Sequence, residues 1–171
     1  TSDVASVPTV DDFTHNKVQG TTIVELDYSN WKNFATFARA YSWKHSGSTN
    51  ILNEIYNNGN AIDTGKIRYR ADNNSGSPQT GAANIEGSEN YSTGKVAFAL
   101  KTNDMAVAFN GSLVVHDTIG QPAINLVTAL YIGAAFREDL GTANDFAYAH
   151  IKSIKYYPVR LTNEQMKALT L

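Results

Sequence analysis

The sequence predicts an all-β protein: a two-sheet antiparallel β-sandwich closed by one short C-terminal helix. Three observations carry this. Lys95–Asp117 (KVAFALKTNDMAVAFNGSLVVHD) reads as three consecutive antiparallel strands joined by polar turns. Alternating segments recur about every 8–14 residues with Asn, Gly, Ser or Asp between them, the spacing of a sandwich and not of a parallel α/β fold. Only one segment, after Leu161, carries both a helix start signal and a following apolar position.

Thr1–Val18 has no clear period; Val10, Phe13 and Val18 suit a segment lying on a sheet edge, so residues 1–18 are read as a lead-in and 19–171 as the sandwich domain. Thr21–Tyr28 alternates Thr22, Val24 and Leu26 against Ile23, Glu25 and Asp27, and its β-branched residues favour a strand. Asn30–Trp43 fits a short helix early and a strand in its later half. Lys44–Asn50 is a polar turn, Ile51–Asn57 a strand, and Asn57–Asn60 a turn. Lys66–Ala71 alternates apolar and basic residues, as a strand with one wet face does. Asp72–Gly81 is a long polar loop, Ala82–Ile85 a short strand, and Glu86–Thr93 a polar connection.

The central meander then follows. Asn110-Gly111 suits a type I′ turn, which needs φ > 0 at both central residues. That turn predicts Phe109 opposite Ser112, Val107 opposite Val114 and Ala106 opposite Val115. A four-residue loop at Lys101–Asp104 predicts Leu100 opposite Met105 and Phe98 opposite Val107. One face thus carries Val96, Phe98, Leu100, Met105, Val107 and Phe109. The other carries Ala97, Ala99, Ala106 and Ala108, with Leu113 and Val115. The large face is a core face. The alanine row is either a shallow groove or the floor under a close-packed loop. Thr118–Pro122 breaks the pattern, Leu130–Ile132 is a strand, Phe136–Asp145 a loop and Phe146–Tyr157 the last strand. Thr162 and Gln165 form a capping box, with Leu161 and Met166 as a hydrophobic staple, so a helix is expected over Asn163–Leu169.

The 171 residues suffice for one domain with a sizeable core. A net charge of −2 and scattered basic residues give no basis for binding nucleic acid or an anionic membrane. There is no cysteine, which excludes disulfides, thiol catalysis and cysteine-ligated zinc. No apolar run reaches the roughly 18 residues of a membrane-spanning helix. The chain opens on Thr1 without a visible signal peptide, as expected for a fragment or processed product. Abundant Asn, Ser, Thr and Gly suit a protein working outside cells.

Catalytic constellations are thin. His15, His45, His116 and His150 lack metal-ligand spacing, and neither a G-x-S-x-G elbow nor a phosphate loop occurs. Glu25 and Asp27 share one strand face, where alternate residues stand about 6.5–7 Å apart. A retaining glycosidase needs two carboxyls about 5–5.5 Å apart; the bland reading is a pair of solvated strand carboxylates. Asp72, Asn73 and Asn74 offer oxygen ligands for calcium but lack an acidic calcium loop, so no cofactor is assigned. Sugar binding is the better fit. It needs an aromatic face to stack on sugar C–H groups, with amides and charged groups for the hydroxyls. The candidates are Trp31, Tyr41 and Trp43, with Asn30, Asp72, Asn73, Asn74, Arg137 and Asp139 from loops, and the alanine face as a floor. Core packing is the other reading of each ring.

The segment His150–Thr170, HIKSIKYYPVRLTNEQMKALT, resembles the closing strand and helix of concanavalin A-like (laminin G-like) jelly-roll domains in bacteriophage tail fibre, tailspike and related virion proteins. The family pattern is roughly G-H-I-K-R-I-x-Y-Y-P-x-R-L-T; Ala149 stands for its glycine and Ser153 for a basic residue. GTTIVE at Gly20–Glu25, the Lys95–Gly111 hairpin and LYIG at Leu130–Gly133 fall in the same order. The resemblance implies a virion module without catalysis, binding a host cell-surface glycan at the tip of a tail fibre or tailspike. Other virion subunits would be its partners, with a homotrimer in the full-length protein. A purely structural module and a glycan-degrading enzyme are the alternatives. Glu25-Leu26-Asp27 resembles part of the E-x-D-x-(x)-E strand of glucanases of this fold, but Ser29 and Asn30 stand where the third acid belongs.

Overall fold

The computed structural model describes residues 5–8, 15–33, 38–45, 51–57, 65–71, 83–119, 122, 124, 127–137, 142–144 and 146–171. Two antiparallel sheets face each other. The first holds β1 (Ala5–Pro8), β3 (Ala38–His45), β4 (Ile51–Asn57), β5 (Ile67–Ala71), β6 (Ala83–Asn84) and β10 (Val127–Ile132), in the order β1-β10-β3-β4-β5-β6. The second holds β2 (Gln19–Asp27), β7 (Thr93–Lys101), β8 (Met105–Phe109), β9 (Ser112–Asp117) and β13 (His150–Tyr157), in the order β13-β2-β7-β8-β9. The all-β sandwich with a C-terminal helix is therefore the observed architecture.

The central meander has the expected turn. Asn110 and Gly111 take φ of 44° and 80°, and Val96, Phe98 and Ala97 pair with Phe109, Val107 and Ala108. The core between the sheets takes Val96, Phe98, Leu100, Met105, Val107 and Phe109 from this meander, and Val24 and Leu26 from β2. One register differs from expectation. Phe109 pairs with Ser112 and Ala108 with Leu113, but Val107 then pairs with Val115. Val114 is the extra residue of a bulge, which returns Val115 to the core face and moves His116 opposite Ala106.

The alanine face is a packed floor and not a glycan groove. α1 (Asn163–Leu169) lies over it, with Leu161 and Met166 buried against Ala97, Ala99, Ala106, Ala108 and Ile23. Alanine suits this position because a helix approaches a sheet closely only where side chains are short. Thr162 and Gln165 make both bonds of the capping box; losing such a cap costs about 1 kcal/mol. Arg160 locks the approach to the helix. Its Nη2 donates to Asp104 Oδ1 at 2.8 Å and to Asn163 Oδ1 at 2.7 Å, and its Nε donates to the same Asp104 oxygen at 3.1 Å.

Other expectations change in detail. Ala5–Pro8 in the lead-in pairs with β10 as an edge strand. The stretch expected as a loop at Phe136–Asp145 instead contributes to a two-stranded hairpin, β11 (Ala135–Arg137) with β12 (Thr142–Asn144). Its preceding turn covers the far side of β3, where Ser42 Oγ donates to Ala134 O. The last strand begins at His150, after Tyr148 with a φ of 46°. The turns expected at 46–50, 58–60 and 72–81 lie outside the described residues.

Candidate functional site

The three aromatic candidates are core side chains. Trp31, Tyr41 and Trp43 are 0%, 0% and 2% exposed, so none offers a ring face to a sugar. Trp31 sits in a 3-10 turn, Ser29–Asn33, and its Nε1 donates to Ala147 O at 2.6 Å. Trp43 Nε1 donates to Thr22 Oγ1 at 2.9 Å, and its ring packs beside His15 and Tyr156. Burying an indole requires a partner for its N–H, and both have one. Asn30 is exposed beside Trp31. Arg137 is a backbone partner of Thr142 in the small hairpin. Asp72, Asn73, Asn74 and Asp139 lie outside the described residues, and with them the calcium suggestion. Among the described residues, no three His, Cys, Asp or Glu side chains converge as a metal site.

Glu25 and Asp27 do share a strand face, but Asp27 is set up as a plain anion. It accepts from Ser29 N at 3.2 Å and from Ser29 Oγ at 2.9 Å. Those bonds, aided by His150 and Lys152, hold its carboxyl below the usual aspartate range. A general acid for glycoside cleavage needs the opposite shift. Glu25 pairs across the sheet with Lys95 on β7 and Ser153 on β13.

A different aromatic is placed for binding. Tyr91 is 51% exposed and stands between two hollows. The first, about 580 Å³, lies along the open edge of the sandwich between β6 and β9. The β6 side supplies Asn84, Glu86 and Asn90; the hairpin side supplies Asn110, Ser112 and Leu113; Tyr69, Ile85 and Phe109 form an apolar base. The second hollow, about 250 Å³, takes Glu25, Thr93 and Lys95, and shares Tyr91 and Asn110 with the first.

The segment that carries Tyr91 is anchored by buried bonds. Gly87 takes a φ of 80°, which lets the chain turn into the 3-10 turn Ser88–Asn90. Ser88 is fully buried; its Oγ accepts from Ile67 N at 2.8 Å and its carbonyl from the Tyr28 hydroxyl at 2.9 Å. Burial and the nearby Tyr91 and Glu89 push the Tyr28 phenol well above its usual range, so it stays a donor. Tyr91 rests edge-to-face on Phe109, with centroids 5.7 Å apart at 80°. Asn110 Oδ1 accepts from Lys95 N at 2.9 Å, which fixes that amide at the junction of the two hollows. Asn84 Oδ1 is buried without a hydrogen-bond partner among the described residues, an acceptor in the wall that the chain leaves unsatisfied. Sequence reasoning passed over Tyr91 as part of a polar connection. The available signal was its isolation: Asn90 and Ser92 flank it, with no apolar residue at strand or helix spacing nearby.

A third cavity, beside His15, Trp43 and Tyr156, holds only about 10 Å³, room for roughly one water and no ligand. Burial, with Lys17 nearby, lowers the His15 pKa from 6.5 to about 4.

No family model matches the sequence, and the curated proteins give no match either. Solved structures do resemble the fold. The carbohydrate-binding module CBM40 of the Ruminococcus gnavus IT-sialidase, bound to α2,3-sialyllactose, superposes with a TM-score of 0.67 at 17% identity, over 90% of this chain and 84% of that one. The NanB sialidase of Streptococcus pneumoniae (K499G mutant) gives 0.71 at 14% identity, over 98% of this chain and 26% of that one. Domains LG4–5 of the mouse laminin α1 chain give 0.63 at 13% identity, over 94% and 40%. The chain therefore has the concanavalin A-like, laminin G-like jelly-roll sandwich that these neighbours share.

Proposed function

We propose that this chain is a non-catalytic carbohydrate-binding module that holds its glycan at Tyr91. The observation that carries the reading is a half-exposed aromatic ring, braced by Phe109 and flanked by two open hollows with amide-bearing walls. Stacking on the ring and hydrogen bonds to amides are the two ingredients of sugar recognition. The 580 Å³ hollow is of ligand size. A sialyllactose-bound module on the same fold supports the reading. The depressed Asp27 carboxyl is unsuited to the general-acid role, so a glycosidase pair at β2 would have to take its acid from Glu25. The virion setting rests on the sequence resemblance alone, that of His150–Thr170 with Gly20–Glu25, Lys95–Gly111 and Leu130–Gly133 in the same order. In that setting the ligand is a host-surface glycan, and several copies per fibre strengthen a weak single site.

The test is binding of the labelled chain to an array of bacterial surface glycans, with Tyr91→Ala beside it. Saturable binding that disappears in a folded Tyr91→Ala protein supports the proposal. Binding that survives the substitution refutes the site, and hydrolysis of a bound glycan refutes the non-catalytic reading. The second reading is a structural module that contacts other virion subunits. Leu113 and Val114 on edge strand β9, 38% and 37% exposed, with Ile119 just beyond at 82%, favour it. Crosslinks from β9 to a neighbouring subunit in assembled particles, with no glycan bound, would establish that alternative.

A further inference from the structure

The two hollows also constrain which glycan fits, an inference that rests on the binding reading above. Their charges are arranged poorly for an acidic sugar. Glu86 borders the first hollow and Glu25 the second. Binding of a sugar carboxylate favours an arginine fork or a comparable cation at the site. Among the described residues, no Arg lines either hollow. Lys95 lines the second, but it lies across the sheet from Glu25 and its Nζ donates to Leu171 O. Lys66, near the first, has its ammonium on Glu86 Oε2 at 2.9 Å. The sequence immediately before β6, residues 72–82, contains no Lys or Arg, and neither do residues 58–64 ahead of β5. The remaining polar groups are neutral: the amides of Asn84, Asn90 and Asn110 and the hydroxyls of Ser112 and Thr93. Neutral amides and hydroxyls complement sugar hydroxyls, each of which donates once and accepts twice, as a serine hydroxyl does.

The shape adds a length requirement. The hollows share Tyr91 and Asn110 in their linings and both are open, which leaves room for a ligand that crosses the ring from one to the other. A single sugar on Tyr91 fills neither side.

We infer that the ligand is a neutral oligosaccharide of two or more residues, lying across Tyr91 with a sugar in each hollow, and that carboxylated sugars are disfavoured there. Sialic acid, present in the ligand of the R. gnavus module, belongs to the disfavoured class.

The experiment measures affinities for neutral saccharides of one to four units and for their acid-capped counterparts, lactose against sialyllactose among them. The expected result is a preference of up to about five-fold for the neutral member of each pair. That factor corresponds to one carboxylate kept about 4 Å from another in a water-like medium. Affinity should rise from one unit to two and level off after the hollows are filled. Tyr91→Ala should remove binding to every member. Glu86→Gln should narrow the neutral preference by about the same five-fold factor. Tighter binding of acidic glycans, lost in folded Tyr91→Ala, overturns this inference and leaves the binding reading standing. Equal affinity for monomers and longer chains overturns the two-hollow geometry. Absence of binding across both series, or binding indifferent to Tyr91→Ala, removes the binding reading and this inference with it.

Discussion

Acidification should destabilise this protein through His15. The ring lies against Tyr156, with centroids 5.6 Å apart at 19°, and against Trp43 at 5.0 Å. Charging it there places a cation among buried rings near Lys17, so its pKa falls from 6.5 to about 4. The unfolded chain takes up this proton below about pH 6.5, whereas the folded chain holds the ring neutral until about pH 4. Between those values the unfolded state binds more protons, so stability falls as pH falls. Above about pH 7 both states are neutral and the group contributes no slope. Taken at full value, the difference corresponds to about 3 kcal/mol. The ring is still partly open to water, and solvent screening reduces this to on the order of 1–2 kcal/mol. In a chain of this length that is a fall of about 3–6 °C in Tm. The assay is urea denaturation of the wild type and His15→Phe across pH 7 to 4. Carboxylate titrations affect both proteins alike and cancel in the difference. His15→Phe should lose stability less steeply on acidification. Identical slopes for the two proteins would refute the reasoning.

Met166→Ala should cost about 2–4 kcal/mol in urea denaturation, because it empties the contact between α1 and the alanine floor. The same variant should bind a hydrophobic dye more strongly as the floor is uncovered. Gly94→Ala, in the lining of the second hollow, should weaken glycan binding several-fold by displacing the ring beneath Tyr91. A Cβ there would stand 2.5 Å from Phe109 Cε2, and Phe109 braces Tyr91; the change shows in the affinity while the circular dichroism spectrum is retained. Arg160→Lys should lower stability by about 1–2 kcal/mol. A single ammonium replaces the fork that holds Asp104 and Asn163 together, and a melt of Arg160→Lys against wild type reads the loss.

Much of the fold was legible because its signals are local. Asn110-Gly111 dictates a turn from two residues, and Thr162 with Gln165 starts a helix from four. Alternation assigned Val96–Leu100 and Met105–Phe109 to their correct faces, because side chains on a strand alternate strictly. The bulge at Val114 escaped this logic. One additional residue reverses the parity of all that follows, and no residue type announces it. The hairpin of β11 and β12 escaped as well, since three-residue strands carry too little alternation to read.

The candidate site was less legible, and its aromatics show why. Trp31, Tyr41 and Trp43 look in sequence like a sugar platform or like core. The choice depends on contacts such as Trp31 Nε1 to Ala147 O, made across 116 residues of chain. Tyr91 looks like an incidental loop residue until β6 and the β8–β9 turn are brought to the same edge of the sandwich. By itself the sequence determined the strands, the principal turns, the capped helix and the amphipathic faces, because backbone preference and side-chain period act over a few residues. Only the tertiary structure decided that α1 covers the alanine floor, that the tryptophans are inside and that Tyr91 is outside. Burial is set by whatever packs on a surface, and here the covering groups come from distant parts of the chain.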